Sequence, residues 1–344
     1  MLRRTFIKAG ALTGMGMIAS RPLSFGQSRK LPVKEGLRVG IIGLDTSHAI
    51  AFTKTLNDED APPEYGGYKV VAACPQGSKD IESSVKRVPG YTEEIRKLGV
   101  EIVDSIPDLL KKTDVILLET NDGRPHLEQA IPVFKAGKTV FIDKPVAGTL
   151  TDAFNIFQAA EDFKTPVFSS SSLRYMSNMD DILKNGSIGN VLGAESFSPS
   201  PLEVTHPDFF WYGIHGIEAL FTVMGTGCQS VSRVSTPDTD VAVGVWEDNR
   251  IGTFRGLRAG KTGYGGYAFG EKGIKTLGDY NGYDPLLKEI IEFFRTGIAP
   301  VSPAETLEIF TFMEAADESK RRGGATVSLA ETKQEAMSRM KKSR

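Results

Sequence analysis

One lysine of this chain stands where parallel-sheet proteins place their chemistry. The run 139–142 is short, apolar and rich in β-branched residues, and Asp143, Lys144 and Pro145 follow it directly. Such a run predicts a buried strand. Ligands of open α/β sheets bind beyond the carboxyl ends of the strands, and a lysine can be tuned by its surroundings into an acid/base residue. Lys144 is therefore a candidate catalytic residue, and the alternative is a solvated lysine in a loop.

A second candidate, His215, follows the aromatic run 209–212. His215 and Glu218 are three residues apart and share a helix face if the helix has begun. A neutral histidine is a natural proton acceptor near neutral pH. The alternatives are a core histidine and a metal site made with His206, whose irregular spacing leads us to predict no metal. Trp211, Tyr212, Arg174 and Glu218 are candidate contacts to a substrate such as a sugar ring.

The elements that position these residues alternate along the first half of the chain. Apolar runs predict strands, and amphipathic runs between them predict helices. The strands are expected at 37–43, 70–74, 100–103, 114–119, 139–142 and 166–169. The helices are expected at 47–56, 92–98, 106–112, 126–136 and 151–163, the last capped by Thr151, with the polar stretch 75–88 as an inserted loop. This alternation predicts an α/β fold with a Rossmann-type, doubly wound parallel sheet.

The second half has a different character. Short runs separated by Gly, Pro, Asn and Asp predict strands at 191–197, 230–235, 241–246, 252–257 and 264–269, with a hairpin tip at Asp248-Asn249 and helices at 285–295 and 303–321. This pattern favours an α+β domain with an open, mostly antiparallel sheet. We expect domain boundaries at 34–172 and 173–330, followed by a short basic tail, 331–344, with a frayed end.

The turn after the first strand is an incomplete dinucleotide fingerprint. A Gly-x-Gly-x-x-Gly turn lets the backbone approach a pyrophosphate, but here Asp45 and His48 occupy the second and third glycine positions. We expect Asp45 to cap the following helix rather than to face a phosphate. The helix N-terminus can still bind phosphate. The second strand ends without the acid that usually contacts a ribose, and Ser78 and Lys79 leave a phosphorylated ribose equally plausible.

Four runs together resemble the Gfo/Idh/MocA oxidoreductases, over about residues 36–330. These runs are 38–43, 120–126, 136–145 and 213–218. The resemblance implies a Rossmann domain, an open-faced sheet that often mediates homo-oligomers, NAD or NADP at the strand ends, and a sugar or polyol between the domains. It implies that Lys144 polarises or protonates the reacting hydroxyl and that His215 is the base. The cofactor contacts it implies are Gly43, Asp45, Thr46, Ser47, His48, Ser78, Thr120, Asn121, Asp143, Lys144 and Pro145.

Departures from the family pattern leave three functions open. The glycine turn is degenerate, Asp143 replaces the usual glutamate, and Trp211 stands four residues before His215, where the family commonly has an acid. The main expectation is an NAD(P)-dependent oxidoreductase acting on a carbohydrate or polyol. One alternative is an NAD-dependent glycosidase or lyase that works by transient oxidation. The other is a non-catalytic sugar-binding protein on a dehydrogenase scaffold.

Composition and the N-terminus limit the partners and predict the compartment. The net charge of −2 lacks the excess of basic residues that is typical of nucleic-acid-binding proteins. The spacing of the two cysteines predicts neither a zinc site nor a disulfide framework. Arg3-Arg4-Thr5-Phe6-Ile7-Lys8 begins a stretch that is typical of a twin-arginine signal peptide, which we place at 1–26. Its apolar run is too short for a transmembrane helix. The sequence therefore predicts a periplasmic protein without a membrane anchor.

Overall fold

The computed structural model describes residues 36–342. The predicted signal peptide lies outside these residues. Among the described helices, none combines the length and the apolar character needed to cross a membrane.

The first half forms a six-stranded, fully parallel sheet. Its strands run in the order β3-β2-β1-β4-β5-β6, which is the strand order of a doubly wound dinucleotide-binding sheet. The strands are β1 Arg38–Ile42, β2 Lys69–Cys74, β3 Glu101–Ile102, β4 Val115–Leu118, β5 Val140–Ile142 and β6 Val167–Phe168. The central strand β4 is buried at every residue, as expected when helices cover both faces of a sheet. The predicted fold class is confirmed.

Five helices connect these strands, and two details of their prediction were wrong. They are α1 Ser47–Asn57, α2 Glu82–Lys97, α3 Ile106–Lys112, α4 His126–Lys135 and α5 Leu150–Asp162. The stretch predicted as a loop at 75–88 already contains the start of α2, which carries Pro89 inside it and therefore gives a weak helix signal. The N-cap of α5 is Thr149, whose hydroxyl accepts the Asp152 N–H at 3.1 Å, and not Thr151.

The second half forms a seven-stranded sheet in the order β12-β11-β7-β10-β9-β8-β13. Its strands are β7 Val191–Pro199, β8 Cys228–Ser235, β9 Thr239–Trp246, β10 Ile251–Leu257, β11 Gly265–Gly270, β12 Gly273–Thr276 and β13 Val327–Ser328. All pairs are antiparallel except β7 with β10. The sequence did not reveal β12 and β13, because the first is exposed without alternation and the second has only two residues.

Helices cover one face of this second sheet, and one of them packs against the parallel sheet of the first half. They are α6 Met179–Leu183, α7 Ile214–Met224, α8 Asp284–Thr296, α9 Pro303–Arg321 and α10 Leu329–Lys342. The apolar side of α8 packs into the same core cluster as β1, β5 and β6, with the rings of Phe168 and Phe293 4.8 Å apart. The predicted frayed tail is wrong up to residue 342, because α10 packs its Met340 against the core and Arg339 pairs with Glu314.

A buried arginine ties the second sheet to α9. Arg233 on β8 has a fully buried side chain that pairs with Asp208 at 2.7 Å, with Asp240 at 2.8 Å and with Asp317. Its guanidinium also lies 3.8 Å from the centre of the Phe209 ring. Charges taken out of water persist only when partners satisfy them, so this cluster holds the sheet, the helix and the 208–209 segment together.

We expect Arg233→Leu to lower the free energy of unfolding by about 3–5 kcal/mol, because three acids lose their buried partner. Urea unfolding at pH 7 measures this. The matched control is Lys184→Leu, which removes an exposed pair with Asp180 and should cost less than about 1 kcal/mol. Equal, small losses in both variants would contradict a structural role for the buried cluster.

Candidate functional site

Two cavities open at the carboxyl edge of the parallel sheet. The larger, of about 1000 Å³, lies beside the end of β2 and is lined by Gln76, Gly77, Ser78 and Lys79 together with residues of α2 and α4. The smaller, of about 290 Å³, lies between the ends of β1, β4 and β5 and aromatic residues that follow β7, precede β11 and follow β12. Parallel sheets bind ligands at this edge, so these cavities are the candidate site.

The lining of the smaller cavity is basic and aromatic. Its basic residues are His48, Arg87, Lys144 and His215, and none of the described residues that line it is an Asp or a Glu. Its aromatic residues are Trp211, Tyr212, Tyr264, Tyr280 and Tyr283. Rings of this kind present flat apolar faces and hydroxyl groups at once, which suits a ligand with both a carbon skeleton and polar groups.

The first turn keeps the glycine that its geometry requires. Gly43 has φ +94°, and a Cβ on it would lie 2.4 Å from the backbone nitrogen of Thr120. Its N–H donates to the Cys74 carbonyl at 3.0 Å. A side chain is therefore excluded at Gly43, and the turns after β1 and β4 come into direct contact.

Asp45 occupies the next glycine position as an internal tie. Its buried carboxyl accepts the Asn121 backbone N–H at 2.9 Å and the Ser84 hydroxyl at 2.6 Å. Burial raises its pKa, and the bond from Ser84 partly offsets this. The expectation that Asp45 caps α1 was wrong, because the cap is Thr46, whose hydroxyl accepts the His48 N–H at 3.3 Å.

The start of α1 faces the smaller cavity. Thr46, Ser47 and His48 line it together with Asn121. Arg87 reaches the same place from α2, where its guanidinium donates to the Asp45 carbonyl at 3.3 Å. A helix N-terminus beside an arginine favours a phosphate, so these residues could hold the phosphates of a dinucleotide.

A buried cluster lies behind Lys144. Asp143 is fully buried, and one of its oxygens accepts the backbone N–H of Lys144 at 2.8 Å and contacts His48 Nδ1 at 3.0 Å. Lys144 Nζ lies 3.9 Å from the other oxygen. Burial alone would raise the pKa of Asp143, but His48 and Lys144 hold it at about 2. The Lys144–Pro145 peptide bond is cis.

Glu119 at the end of β4 completes this cluster. It is fully buried, and neither of its carboxyl oxygens has a hydrogen-bond partner. Burial and the neighbouring Asp143 raise its pKa well above the usual value. Ligating atoms of His48, Glu119 and Asp143 lie within 4.8 Å of one another, close enough to share a cation. The contacts of His48 and Lys144 account for the position of Asp143, and both oxygens of Glu119 are left without a hydrogen-bond partner.

His215 enters the smaller cavity from α7. Its Nδ1 lies 2.7 Å from the Ser171 hydroxyl, and the edge of its ring packs against Tyr212. Burial, and then the nearby Lys144 and His48, lower its pKa well below the usual value. His215 is therefore a neutral imidazole held in one orientation.

The structure does not bring Arg174 and Glu218 to the cavity. Arg174 pairs with Glu218 at 3.0 Å and with Glu305 at 2.7 Å, and the Ser170 hydroxyl donates to Glu218 at 2.8 Å. His215 and Glu218 do share a helix face, as predicted, and both face the segment 170–174. Arg174 and Glu218 therefore pair with each other outside the lining of the smaller cavity.

His206 and Ser78 meet at a carboxylate that the sequence did not single out. Asp122 lies 3.0 Å from His206 Nε2, pairs with Arg124 at 2.6 Å and accepts the Ser78 hydroxyl. Burial would raise its pKa, but these three partners lower it strongly. His206 is therefore not grouped with His215 and Glu218, and the metal alternative at those three residues has no support.

Several lining residues were missed from sequence. Tyr264, Tyr280 and Tyr283 stand in a Gly-rich stretch, and Ser83 and Arg87 stand in the stretch taken for a loop. Tyr283 joins the first turn directly, since its hydroxyl lies 3.0 Å from that of Ser47. Only the clustering of tyrosines between 264 and 283 offered a signal, and it has no fixed spacing.

Comparisons with known proteins agree with this geometry. Residues 37–171 match the family model GFO_IDH_MocA, described as an oxidoreductase family with an NAD-binding Rossmann fold. A search of curated protein sequences finds no match.

Solved structures share the fold at low identity. The probable dehydrogenase of Thermotoga maritima is 20% identical with a TM-score of 0.70, covering 86% of this chain and 100% of its own. Scyllo-inositol dehydrogenase of Lactobacillus casei, with NAD(H) and scyllo-inositol bound, is 16% identical with a TM-score of 0.69 and covers 86% and 100%. An Agrobacterium radiobacter oxidoreductase, solved with NAD+, L-tartaric acid and magnesium, is 16% identical with a TM-score of 0.66 and covers 86% and 99%.

Asp143 gives the protein an acid-sensitive stability. Its pKa is lowered on folding from about 3.9, so its ionised form stabilises the fold above about pH 4 and this contribution is lost as the pH falls to about 2. We expect the unfolding free energy to fall by about 2 kcal/mol more over this window in the wild type than in Asp143→Asn. Urea unfolding at each pH measures the slopes. The exposed Asp60→Asn should keep the wild-type slope, and equal slopes in all three proteins would contradict the expectation.

Proposed function

Since the chain belongs, through residues 37–171, to the Gfo/Idh/MocA family of NAD-binding oxidoreductases, we propose that it is an NAD(P)-dependent dehydrogenase of a carbohydrate or polyol. The observation that carries the proposal is the smaller cavity. Lys144 from the parallel sheet and His215 from α7 both line it, at the edge of the sheet where the family binds its cofactor.

The residues at this edge fit a dinucleotide. Gly43 keeps the close approach of the two turns, Asp45 is tied inward, and Arg87 joins the start of α1. The cavity beside Gly77 and Ser78 has room for a nucleoside. Bound NAD or NADP supplies the acceptor for the electrons of the substrate's carbon–hydrogen bond.

We assign the cofactor contacts by their place. Thr46, Ser47, His48, Asn121 and Lys144 line the smaller cavity, and Ser78 lines the larger one. Gly43, Asp45 and Thr120 shape the turns between them, and Asp143 and Pro145 hold Lys144 in place. Lys144 and His215 form the acid/base pair at the reacting hydroxyl.

The substrate class follows from the aromatic lining. Trp211, Tyr212 and the three further tyrosines offer ring faces and hydroxyls, which suit the alternating carbon and hydroxyl groups of a sugar or polyol. The Lactobacillus casei relative binds scyllo-inositol, a polyol. We therefore propose polyols and sugars as the substrate class of this protein and name no single compound.

We expect Lys144→Ala to lower kcat by about 100-fold or more while the Kd for NAD(P) stays nearly unchanged. Steady-state kinetics with a panel of polyols and sugars, and calorimetry with the cofactor, measure the two effects. The matched variant Arg87→Ala should show the reverse, with a Kd raised about tenfold because a charged phosphate contact is lost.

Three results would redirect the assignment. Unchanged kcat in Lys144→Ala removes Lys144 from the mechanism. Cleavage of glycosides without net cofactor reduction favours an NAD-dependent glycosidase or lyase. Sugar binding without any thermal shift from saturating NAD(P) favours a non-catalytic sugar-binding protein, because a ligand that binds the folded state must stabilise it.

We also propose that the protein is exported to the periplasm by the twin-arginine route, on the sequence of residues 3–8. The double substitution Arg3→Lys and Arg4→Lys should leave the uncleaved precursor in the cytoplasmic fraction, while Arg21→Lys should be exported like the wild type. Periplasmic protein in the double variant would reject the proposal.

A further inference from the structure

A second histidine, His48, faces the smaller cavity with a carboxylate behind it. Its Nδ1 lies 3.0 Å from the fully buried Asp143 oxygen that also accepts the backbone N–H of Lys144. An ionised carboxylate only accepts hydrogen bonds, so Nδ1 of His48 carries the hydrogen and Nε2 is left as the acceptor. The chain therefore presents an oriented imidazole at the cavity.

The other cavity histidine lacks such a partner. His215 meets a hydroxyl, that of Ser171, at 2.7 Å, and Trp211 stands where the resemblance leads one to expect an acid. A carboxylate stabilises an imidazolium, whereas a serine hydroxyl does so weakly. Burial and the neighbouring Lys144 and His48 lower the pKa of His215 further, which makes it a weak proton acceptor.

We propose that His48, oriented by Asp143, takes the proton of the substrate hydroxyl. This rests on the proposed function and changes one role in it, because His48 replaces His215 as the proton acceptor. The hydroxyl O–H bond breaks, its proton bonds to His48 Nε2, and its electron pair forms the C=O bond. The hydrogen of the adjacent C–H bond would leave with that bond's electron pair, as hydride, to oxidised NAD(P). Lys144 and His215 then hold and polarise the oxygen. The imidazolium that forms is paired with Asp143.

Asp143 is the acidic residue closest to the His48 ring. Asp143 and Lys144 face it from the end of β5, His215 faces it from α7, and the Tyr283 ring packs edge-on with its centre 4.4 Å away. Glu119 lies 3.8 Å from Nδ1, and burial and the neighbouring Asp143 raise its pKa, whereas the pKa of Asp143 is lowered. Asp143 is thus the counter-ion of the protonated His48.

The test uses a substitution that separates the two ring nitrogens. His48→Asn places an amide nitrogen near the position of Nδ1, so the bond to Asp143 can persist while the Nε2 acceptor is removed. We expect kcat to fall by about 100- to 10,000-fold. The thermal shift caused by NAD(P) should fall much less, because Thr46, Ser47 and Asn121 still line the cavity. We also expect the acidic limb of the pH–kcat profile to disappear and added imidazole to restore activity to His48→Ala.

The matched control is His206→Gln, which alters the other buried histidine–carboxylate pair. That pair uses Nε2, which the glutamine amide can replace, and it lies outside the lining of the smaller cavity. This variant should keep the acidic limb of the wild type. A readout without turnover is the NMR signal of the His48 Nδ1 proton, which should shift in Asp143→Asn because its acceptor loses the negative charge.

Four outcomes overturn the proposal. The first is near wild-type kcat with an unchanged acidic limb in His48→Asn, and the second is loss of that limb in His215→Asn instead. The third is an unchanged His48 Nδ1 proton signal in Asp143→Asn, and the fourth is a stoichiometric divalent metal that depends on His48. If His48→Asn stays active while Lys144→Ala is inactive, the proposed function stands without this refinement. If the wild type binds no NAD(P), both fail, and the cofactor titration reveals it first.

Discussion

The buried carboxylate of Asp143 is the interaction on which the candidate site depends. One of its oxygens accepts a hydrogen bond from the backbone N–H of Lys144 and also contacts Nδ1 of His48. It therefore holds the end of β5 and the start of α1 together. It is fully buried, and its neighbour Glu119 has a pKa raised by burial and by Asp143 itself. A charge in such a position persists only when donors surround it. The positions of Lys144 and His48 therefore both follow from the need of the buried Asp143 carboxylate for hydrogen-bond donors.

Buried acids take over the role that glycines have in other dinucleotide turns. Asp45 ties the first turn to Asn121 and Ser84, and Asp122 joins the Ser78 segment to His206 of the second half. In a glycine-rich turn, close packing leaves the backbone open to the ligand. Here hydrogen bonds to carboxylates produce the close packing, and Arg87 adds a positive charge that the glycine turn does not contain. Loss of the glycines therefore changes how the edge is held together and not whether it can receive a phosphate.

The parallel sheet could be predicted from the sequence, because each of its strands is a compact apolar run with a clear end. The sequence also singled out Lys144 and His215, which stand in local motifs and which line the smaller cavity. It did not reveal the start of α2, since Pro89 and polar residues hide the helix period there, and Arg87 was lost with it. Arg174 and Glu218 are residue types that often contact ligands, but here they form an ion pair with each other. Tyr264, Tyr280 and Tyr283 reach the cavity only through the path of the chain between two sheets, which no local pattern encodes.

The return of α8 to the first sheet governs the order in which the protein can form. Leu287, Ile290 and Phe293 complete the core that contains Ile41 and Phe141, although more than a hundred residues separate them from that sheet. While the ribosome is still making the second sheet, α1 already packs on this face of the parallel sheet, but the part of the face that α8 covers is exposed. The first half therefore reaches its finished state only after the chain has emerged beyond α8, and a fragment that stops at the end of β6 would expose that face and aggregate.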